Sequence, residues 1–247
     1  MHPVLFKLGS LEIHTYGVLV AAGFLAGITL AQYRARRAGI AAEHIGDLGV
    51  WLIVAAMVGA KLFHILFFWD DFSRSWQETG WASLRAGFVF FGGFVGATLT
   101  GILYARLKKI PLWRLADVFA PALALGHAFG RLGCFFEGCC YGKACSLPWA
   151  VHLPGHGAPV HPTQLYEVTG NFAIFVGLSL YRKHFEGEIW WLYVLSYGTL
   201  RFIIEFFRGD YATHYFGVFT VAHLTAGVLV AIALIAKNRM ASTGHSR

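Results

Sequence analysis

Charge is what this chain has least of. Only 13% of its 247 residues are Asp, Glu, Lys or Arg, where a soluble domain carries about a quarter. The shortfall runs along the whole chain and excludes an ordinary soluble domain. Also missing is any polar/apolar alternation in the long apolar stretches, which excludes the strands of a membrane barrel and leaves helices as the spanning elements. There is no Cys-x-x-Cys, which counts against a membrane thiol oxidoreductase. No internal repeat or pair of broken helices is visible, which counts against a transporter or channel. The first 15 residues have no basic start leading into an apolar stretch, so no cleavable signal peptide is expected and the first span is retained.

What is present is apolar surface, at 57% of residues, with 22 Phe and eight Trp. Aromatics of this kind collect at membrane interfaces. Seven stretches are long enough to cross a hydrocarbon core, which takes roughly 20 helical residues. They lie near 16–33, 46–69, 88–107, 115–133, 163–181, 189–207 and 216–236. The expected fold is therefore all-α, a polytopic membrane helical bundle of about seven transmembrane helices in a single domain, 1–247.

The net charge of +7 would suggest nucleic acid in a soluble protein. Here the basic residues sit between apolar runs, so they orient the chain, and no nucleic-acid partner is expected. Arg34, Arg36 and Arg37 follow the first span; Arg106, Lys108, Lys109 and Arg114 the third; Arg182 and Lys183 the fifth; Lys237 and Arg239 the seventh. All fall on one side if seven spans are counted. The positive-inside rule then sets the N-terminus outside and the C-terminus inside. Two outer segments follow, 70–87 with Trp76 and Trp81 along the interface, and 134–162, the longest non-helical stretch and the natural cap of an active site. The tail beyond Lys237 reads as short, polar and disordered.

An ionisable residue at a span centre costs roughly 2.5–3.5 kcal/mol on insertion scales, so it needs a partner or a wet cavity. In the sixth span Tyr197, Arg201, Glu205 and Arg208 fall on one helical stripe. This is either a structural ion pair or the wall of a polar cavity. Lys61 and His64 lie in the second span, and Lys61 calls for a counter-ion such as Glu167 or Glu205. His127 precedes Arg131 by one turn in the fourth span and reads as a helix–helix hydrogen-bonding group. Asp117, at the start of that span, could cap its helix. Gly92, Gly93 and Gly96 read as close helix packing or as close approach of backbone to a lipid headgroup.

All four cysteines fall within twelve positions, as Cys134, Cys139, Cys140 and Cys145. The spacing does not match the usual zinc ribbons or fingers. Disulfides or small packed residues, a reactive thiol, and a metal site are all open readings, and the first is favoured by an outer, oxidising location.

Several motifs then fall into one order. Tyr16-Gly17 opens the first span, and Gly92-Gly93-Phe94-Val95-Gly96 opens the third. Gly130-Arg131-Leu132-Gly133-Cys134-Phe135 leads to Gly138 and Tyr141-Gly142. His161-Pro162-Thr163-Gln164-Leu165-Tyr166-Glu167 opens the fifth span, and Tyr197, Gly198, Arg201, Phe202, Glu205 and Arg208 pattern the sixth. From Tyr16 to Arg208 the chain resembles the phosphatidylglycerol–prolipoprotein diacylglyceryl transferases, in a branch with Gly138-Cys139-Cys140-Tyr141-Gly142. The resemblance implies a multi-pass enzyme of the bacterial cytoplasmic (inner) membrane. Its partners would be phosphatidylglycerol and a prolipoprotein signal peptide whose lipobox cysteine accepts the diacylglyceryl group. An alternative is a re-purposed member acting on another lipid or acceptor. The sequence departs from the family's commoner pattern at Cys134 and Cys139, where Asn and Glu are usual, and at Phe91, where His or Tyr is usual. The resemblance thus leaves the proton acceptor unassigned.

Arg131 and Arg201 match the family's arginines residue by residue. The resemblance implies that they grip the phosphate and stabilise the leaving group, with Glu205 orienting Arg201. Tyr16, Gly92, Gly93, His161, Gln164, Tyr166, Glu167, Tyr197 and Arg208 are the expected substrate-binding set, with Arg208 nearer the surface and less important. The chemistry calls for no metal and no cofactor.

Overall fold

The computed structural model of the protein describes residues 3–9, 11–153, 157–209 and 219–244. Seven long helices stand at the seven expected places: α1 (Thr15–Arg37), α2 (Ala42–Phe67), α4 (Phe90–Leu107), α5 (Leu112–Glu137), α6 (Thr163–Leu180), α7 (Glu188–Glu205) and α8 (Val221–Gly244). A short α3 (Trp69–Thr79) and a 3-10 turn (Gly80–Arg85) fill the segment expected along the interface, and Trp81 there is exposed. Among the described residues five helices are long and apolar enough to cross a membrane: α1, α2, α4, α5 and, over Val221–Ser242, α8. The protein is thus a multi-pass membrane protein. Helices α6 and α7 are as long as α4. Their apolar character is diluted by Gln164, Glu167 and Asn171 in one and by Glu188, Arg201 and Glu205 in the other.

Three details differ from the sequence-based expectation. A β-hairpin, β1 (Val4–Leu8) and β2 (Leu11–His14), precedes α1; Lys7 and Glu12 pair across it at 2.5 Å. Helix α5 runs on to Glu137, so Cys134 is helical and the irregular outer segment starts at Gly138. The tail beyond Lys237, expected to be disordered, is helical over its described residues, because α8 continues to Gly244. Ala241 is the best of helix formers, and Ser242 Oγ donates back within the helix to Arg239 O at 2.7 Å. Residues 216–218, expected to open the seventh span, and 154–156 of the outer segment lie outside the described residues.

The basic loops have a local cause for their sharp turns. After α1, Gly39 takes a φ of 74° and Ile40 N–H returns to Ala35 O at 2.9 Å, a Schellman closure. After α4 the same closure recurs, with Ile110 N–H to Ala105 O at 2.8 Å and Lys109 in the left-handed position at φ 55°. Arginines in both last turns oppose the negative end of the helix dipole.

The chain forms two compact units, residues 32–115 and residues 1–31 with 116–247. In the smaller unit α2 and α4 pack through small residues. A Cβ at Gly96 would stand 2.5 Å from Ala55 O, and one at Gly92 would overlap Gly59 O and Phe63 Cβ. Lys61 is satisfied inside this unit by the carbonyls of Ser83 (2.8 Å) and Ala86 (2.7 Å). The expected acidic counter-ion, Glu167 or Glu205, is thus replaced by backbone oxygens in and just after the 3-10 turn, which need donors themselves.

In the larger unit Ala120, Ala124, Leu178, Ile189 and Tyr193 form a core joining α5, α6 and α7. Asp117 fixes one end of this group. Its Oδ2 accepts from Gly187 N–H (2.9 Å) and Lys183 Nζ (3.0 Å), and its Oδ1 from Trp190 N–H (3.0 Å). It caps α7 rather than its own α5, because the first amides of α7 have no partners within their own helix.

Candidate active site

The other end of the larger unit gathers the charges. Glu167, on the second turn of α6, is buried. Its Oε2 meets Arg131 Nε of α5 at 2.7 Å. Its Oε1 lies 3.4 Å from Arg201 of α7 and 3.8 Å from Arg208. Arg201 also reaches Glu205 Oε2 at 2.7 Å, and Glu205 Oε1 accepts from Thr220 Oγ1 at 2.6 Å. The Thr220 N–H donates to His223 Nδ1 at 3.1 Å. Three guanidiniums thus face two carboxylates, each charge held by at least one of opposite sign.

Burial in this group runs against expectation at one position. The side chain of Arg208 is 5% exposed, that of Arg201 14% and that of Arg131 23%. Arg208 is the most buried of the three, not the nearest to the surface. The chain beyond α7 folds back against the outer segment, with Lys143 N–H to Phe207 O at 2.8 Å and Gly209 N–H to Tyr141 O at 3.3 Å. That pairing needs Gly142: a Cβ there would stand 2.5 Å from His161 Cβ and 2.6 Å from Phe207 O.

Most of the remaining expected residues lie on the same unit. The Tyr197 ring lies 5.0 Å from that of His127. His127 Nδ1 shares a hydrogen bond with Tyr193 at 3.0 Å, the helix–helix role expected for it. Tyr16 packs on Gly133, where a Cβ would come within 2.9 Å of its ring. His161 and Tyr166 form a group with a member the sequence did not flag: Tyr166 OH accepts from Trp149 Nε1 at 2.8 Å and bonds His161 Nδ1 at 3.1 Å. Gly92 and Gly93 lie in the other unit, against α2.

The cysteines form no disulfide in the structure. Cys134, Cys139 and Cys140 bring their sulfurs within 4.8 Å of one another. Two residues of α6 hold the loop that carries them: Gln164 Nε2 donates to Cys139 O at 2.7 Å and Thr163 Oγ1 to Cys140 O at 2.9 Å. Gln164 is therefore a support of the cysteine loop. The Cys140 thiol is pushed down to about 5, chiefly because Cys134 donates a hydrogen bond to it, with Arg131 and Arg208 acting in the same sense against its burial. Burial pushes the Cys139 thiol up. Thr163, Thr220, His223 and Trp149 are the participants missed from sequence. Thr163 stands inside the run opening α6 and could have been found there; Thr220 and His223 carry no spacing signal.

A fixed cluster of guanidiniums in a largely dry site can bind an anionic group bidentately and stabilise charge developing on its oxygens. The family model for prolipoprotein diacylglyceryl transferases matches residues 3–238. The chain belongs to that family. Similar proteins include the phosphatidylglycerol–prolipoprotein diacylglyceryl transferase of Finegoldia magna, 35% identical over 240 residues that cover 95% of this chain and 94% of its own length. Those of Clostridium tetani (35% identical, covering 85% and 86%) and Geobacter sulfurreducens (36% identical, covering 83% and 82%) carry the same name.

Proposed function

We propose that this protein transfers the diacylglyceryl group of phosphatidylglycerol to the thiol of a prolipoprotein lipobox cysteine, in the bacterial inner membrane. The observation that carries the reading is the convergence of Arg131, Arg201 and Arg208 on one buried glutamate, Glu167, in a chain of this family. The acceptor sulfur attacks the glycerol carbon bonded to the phosphate oxygen. A C–S bond forms, that C–O bond breaks, and glycerol phosphate leaves with the electron pair. The negative charge on the departing oxygen rises as the bond breaks. Guanidiniums already fixed by carboxylates meet it without reorganising, which is where electrostatic catalysis gains most.

In this reading Arg131 and Arg201 hold the phosphate, Glu167 spaces the arginines, and Glu205 orients Arg201. Tyr16, Tyr197, His161, Tyr166 and Arg208 line the site. The basic loops after α1, α4, α6 and α8 favour an N-out, C-in chain. Reporter fusions after Arg37 and at the C-terminus should both report cytoplasm, and a periplasmic signal at either overturns that orientation. The test of function is direct. Purified protein is incubated with phosphatidylglycerol vesicles and a lipobox peptide, and the peptide should gain the mass of one diacylglyceryl group. A Ser-for-Cys peptide should gain nothing. A folded protein that leaves the cysteine peptide unmodified refutes the assignment.

A further inference from the structure

The three clustered thiols have no part in the chemistry above, yet they are the most deliberately held group on the loop. Gly138 and Cys139 N–H both return to Cys134 O, at 3.0 and 3.2 Å. Gly138 has a φ of 80° and Cys140 a φ of 63°. The second is a left-handed backbone that a side chain other than glycine or Asn rarely adopts. The chain doubles back at this cost and so brings residues 139 and 140 over the last turn of α5. Thr163 and Gln164, themselves fully buried, clamp both cysteine carbonyls. What this backbone achieves is the meeting of three sulfurs within 4.8 Å.

We propose that Cys134, Cys139 and Cys140 form a three-thiolate zinc site whose fourth coordination position receives the acceptor thiol. A tetrahedral zinc with Zn–S bonds of about 2.3 Å sets its sulfurs roughly 3.8 Å apart, so the cluster closes onto the ion by small side-chain rotations. An all-sulfur donor set selects a soft ion over magnesium or calcium. Cys145, the remaining cysteine, stands outside the cluster, its N–H bonded to Pro159 O at 2.9 Å, which leaves one position for an incoming ligand. Cys139 is exposed while Cys134 and Cys140 are half-buried, so the open side faces outward. Arg131 lies close enough to act on Cys134 and Cys140, and Arg208 on Cys140, offsetting the net negative charge of three thiolates and one zinc.

The second half of the proposal rests on the transfer reading; the first does not. On binding zinc the acceptor thiol releases its proton to solvent and stays bound as thiolate. That sulfur attacks the glycerol carbon, the C–O bond breaks, glycerol phosphate leaves, and the neutral thioether, a poor ligand, departs from the metal. The zinc keeps its charge throughout.

The test uses the full chain purified in detergent, stripped with a chelator and reloaded with zinc or cobalt. The expected result is a single zinc per chain and a cobalt form with thiolate-to-metal charge-transfer absorption. Cys139→Ser should weaken binding roughly a hundredfold or more, since even changes outside the ligand shell cost about 10–100-fold. Cys145→Ser should leave binding unchanged. Trace metal in the wild type, binding unmoved by Cys139→Ser in folded protein, or a thiol titration two short of four overturns the site. Adding a lipobox peptide to the cobalt form should shift its spectrum, and a Ser-for-Cys peptide should not; no shift overturns the open position. Zinc binding without transfer removes the function proposed above and leaves the site standing, whereas transfer by metal-free protein at an undiminished rate removes the catalytic half alone.

Discussion

Two buried carboxylates mark the two ends of the larger unit, and they are used in opposite ways. Asp117 takes two backbone amides and a lysine. Those amides open α7 and would lack partners whatever the protein did, so the carboxylate completes a helix start. Glu167 takes three guanidiniums. Each guanidinium has five donors, more than one carboxylate can absorb, so Glu167 draws three arginines together at one point of the unit. A buried acid among amides completes the scaffold; under the proposed function, a buried acid among arginines organises the site.

The largest effect expected from breaking this contrast is at Glu167. Glu167→Gln leaves three cations close together without the charge that spaces them. Removing one partner of a buried ion pair costs about 3–5 kcal/mol, so a large fall in thermal stability in detergent is expected, with little transfer activity in what remains folded. A stable and active Glu167→Gln protein would mean that the arginines are held by other groups.

Next come the arginines. Arg131→Gln and Arg201→Gln should each lose about 2–4 kcal/mol of transition-state stabilisation, roughly a hundredfold or more in transfer rate. Lysine should rescue poorly, because it keeps the charge but not the planar fork. The double change Arg201→Gln with Glu205→Gln removes an ion pair evenly. If the pair only neutralises itself, folding and activity both survive; if Arg201 holds phosphate, the protein folds but does not transfer. Arg208→Gln, at the most buried of the three, should lower stability as well as rate, which separates it from Arg131.

Asp117→Asn sharpens the comparison from the other side. Asn keeps one acceptor for the α7 amides. One of the two amides loses its acceptor, at about 1–3 kcal/mol, and Lys183, 36% exposed, loses an ion pair of about 0–1 kcal/mol. The expected result is a loss of thermal stability smaller than that of Glu167→Gln, with a normal transfer rate per folded molecule. A rate loss in stable Asp117→Asn protein would extend the site to the far end of α5.

The contrast between the two acids also shows which features the sequence made legible. All seven long helices could be read, because long, predominantly apolar stretches have few other fates. The Arg201–Glu205 pair could be read from its i,i+4 spacing. Glu167 could not be read as the centre of the cluster, since its partners lie on two other helices and pairing between helices leaves no periodic trace. For the same reason Lys61 seemed to need a distant acid when nearby carbonyls sufficed. The hairpin of β1 and β2 was missed because four- and five-residue strands give too short a pattern to set against an apolar background. The sulfur cluster was half legible: the cysteines' proximity in sequence was plain, but the left-handed turn at Cys140 that closes them is a tertiary choice.

The smallest expected effects concern glycines of the smaller unit, where lipid contact and helix packing make different demands. A Cβ at Gly93 would stand 3.0 Å from Ala56 O and 3.4 Å from Ala60 Cβ, while at Gly101 the nearest atom is Leu52 Cδ2 at 3.9 Å. Both positions are helical, so alanine gains up to about 1 kcal/mol of helix propensity at each. At Gly101 nothing opposes that gain, and Gly101→Ala should be neutral to slightly stabilising. At Gly93 the neighbours must yield by a few tenths of an ångström, and crowding of this kind costs about 1–3 kcal/mol, so Gly93→Ala should be neutral to destabilising. If Gly93 serves packing alone, that difference in thermal stability is the whole effect, and the KM for phosphatidylglycerol stays put in both variants. If the backbone at Gly93 instead approaches the lipid headgroup, KM rises in Gly93→Ala even where stability is unchanged, and the glycines of α4 then serve substrate as well as packing.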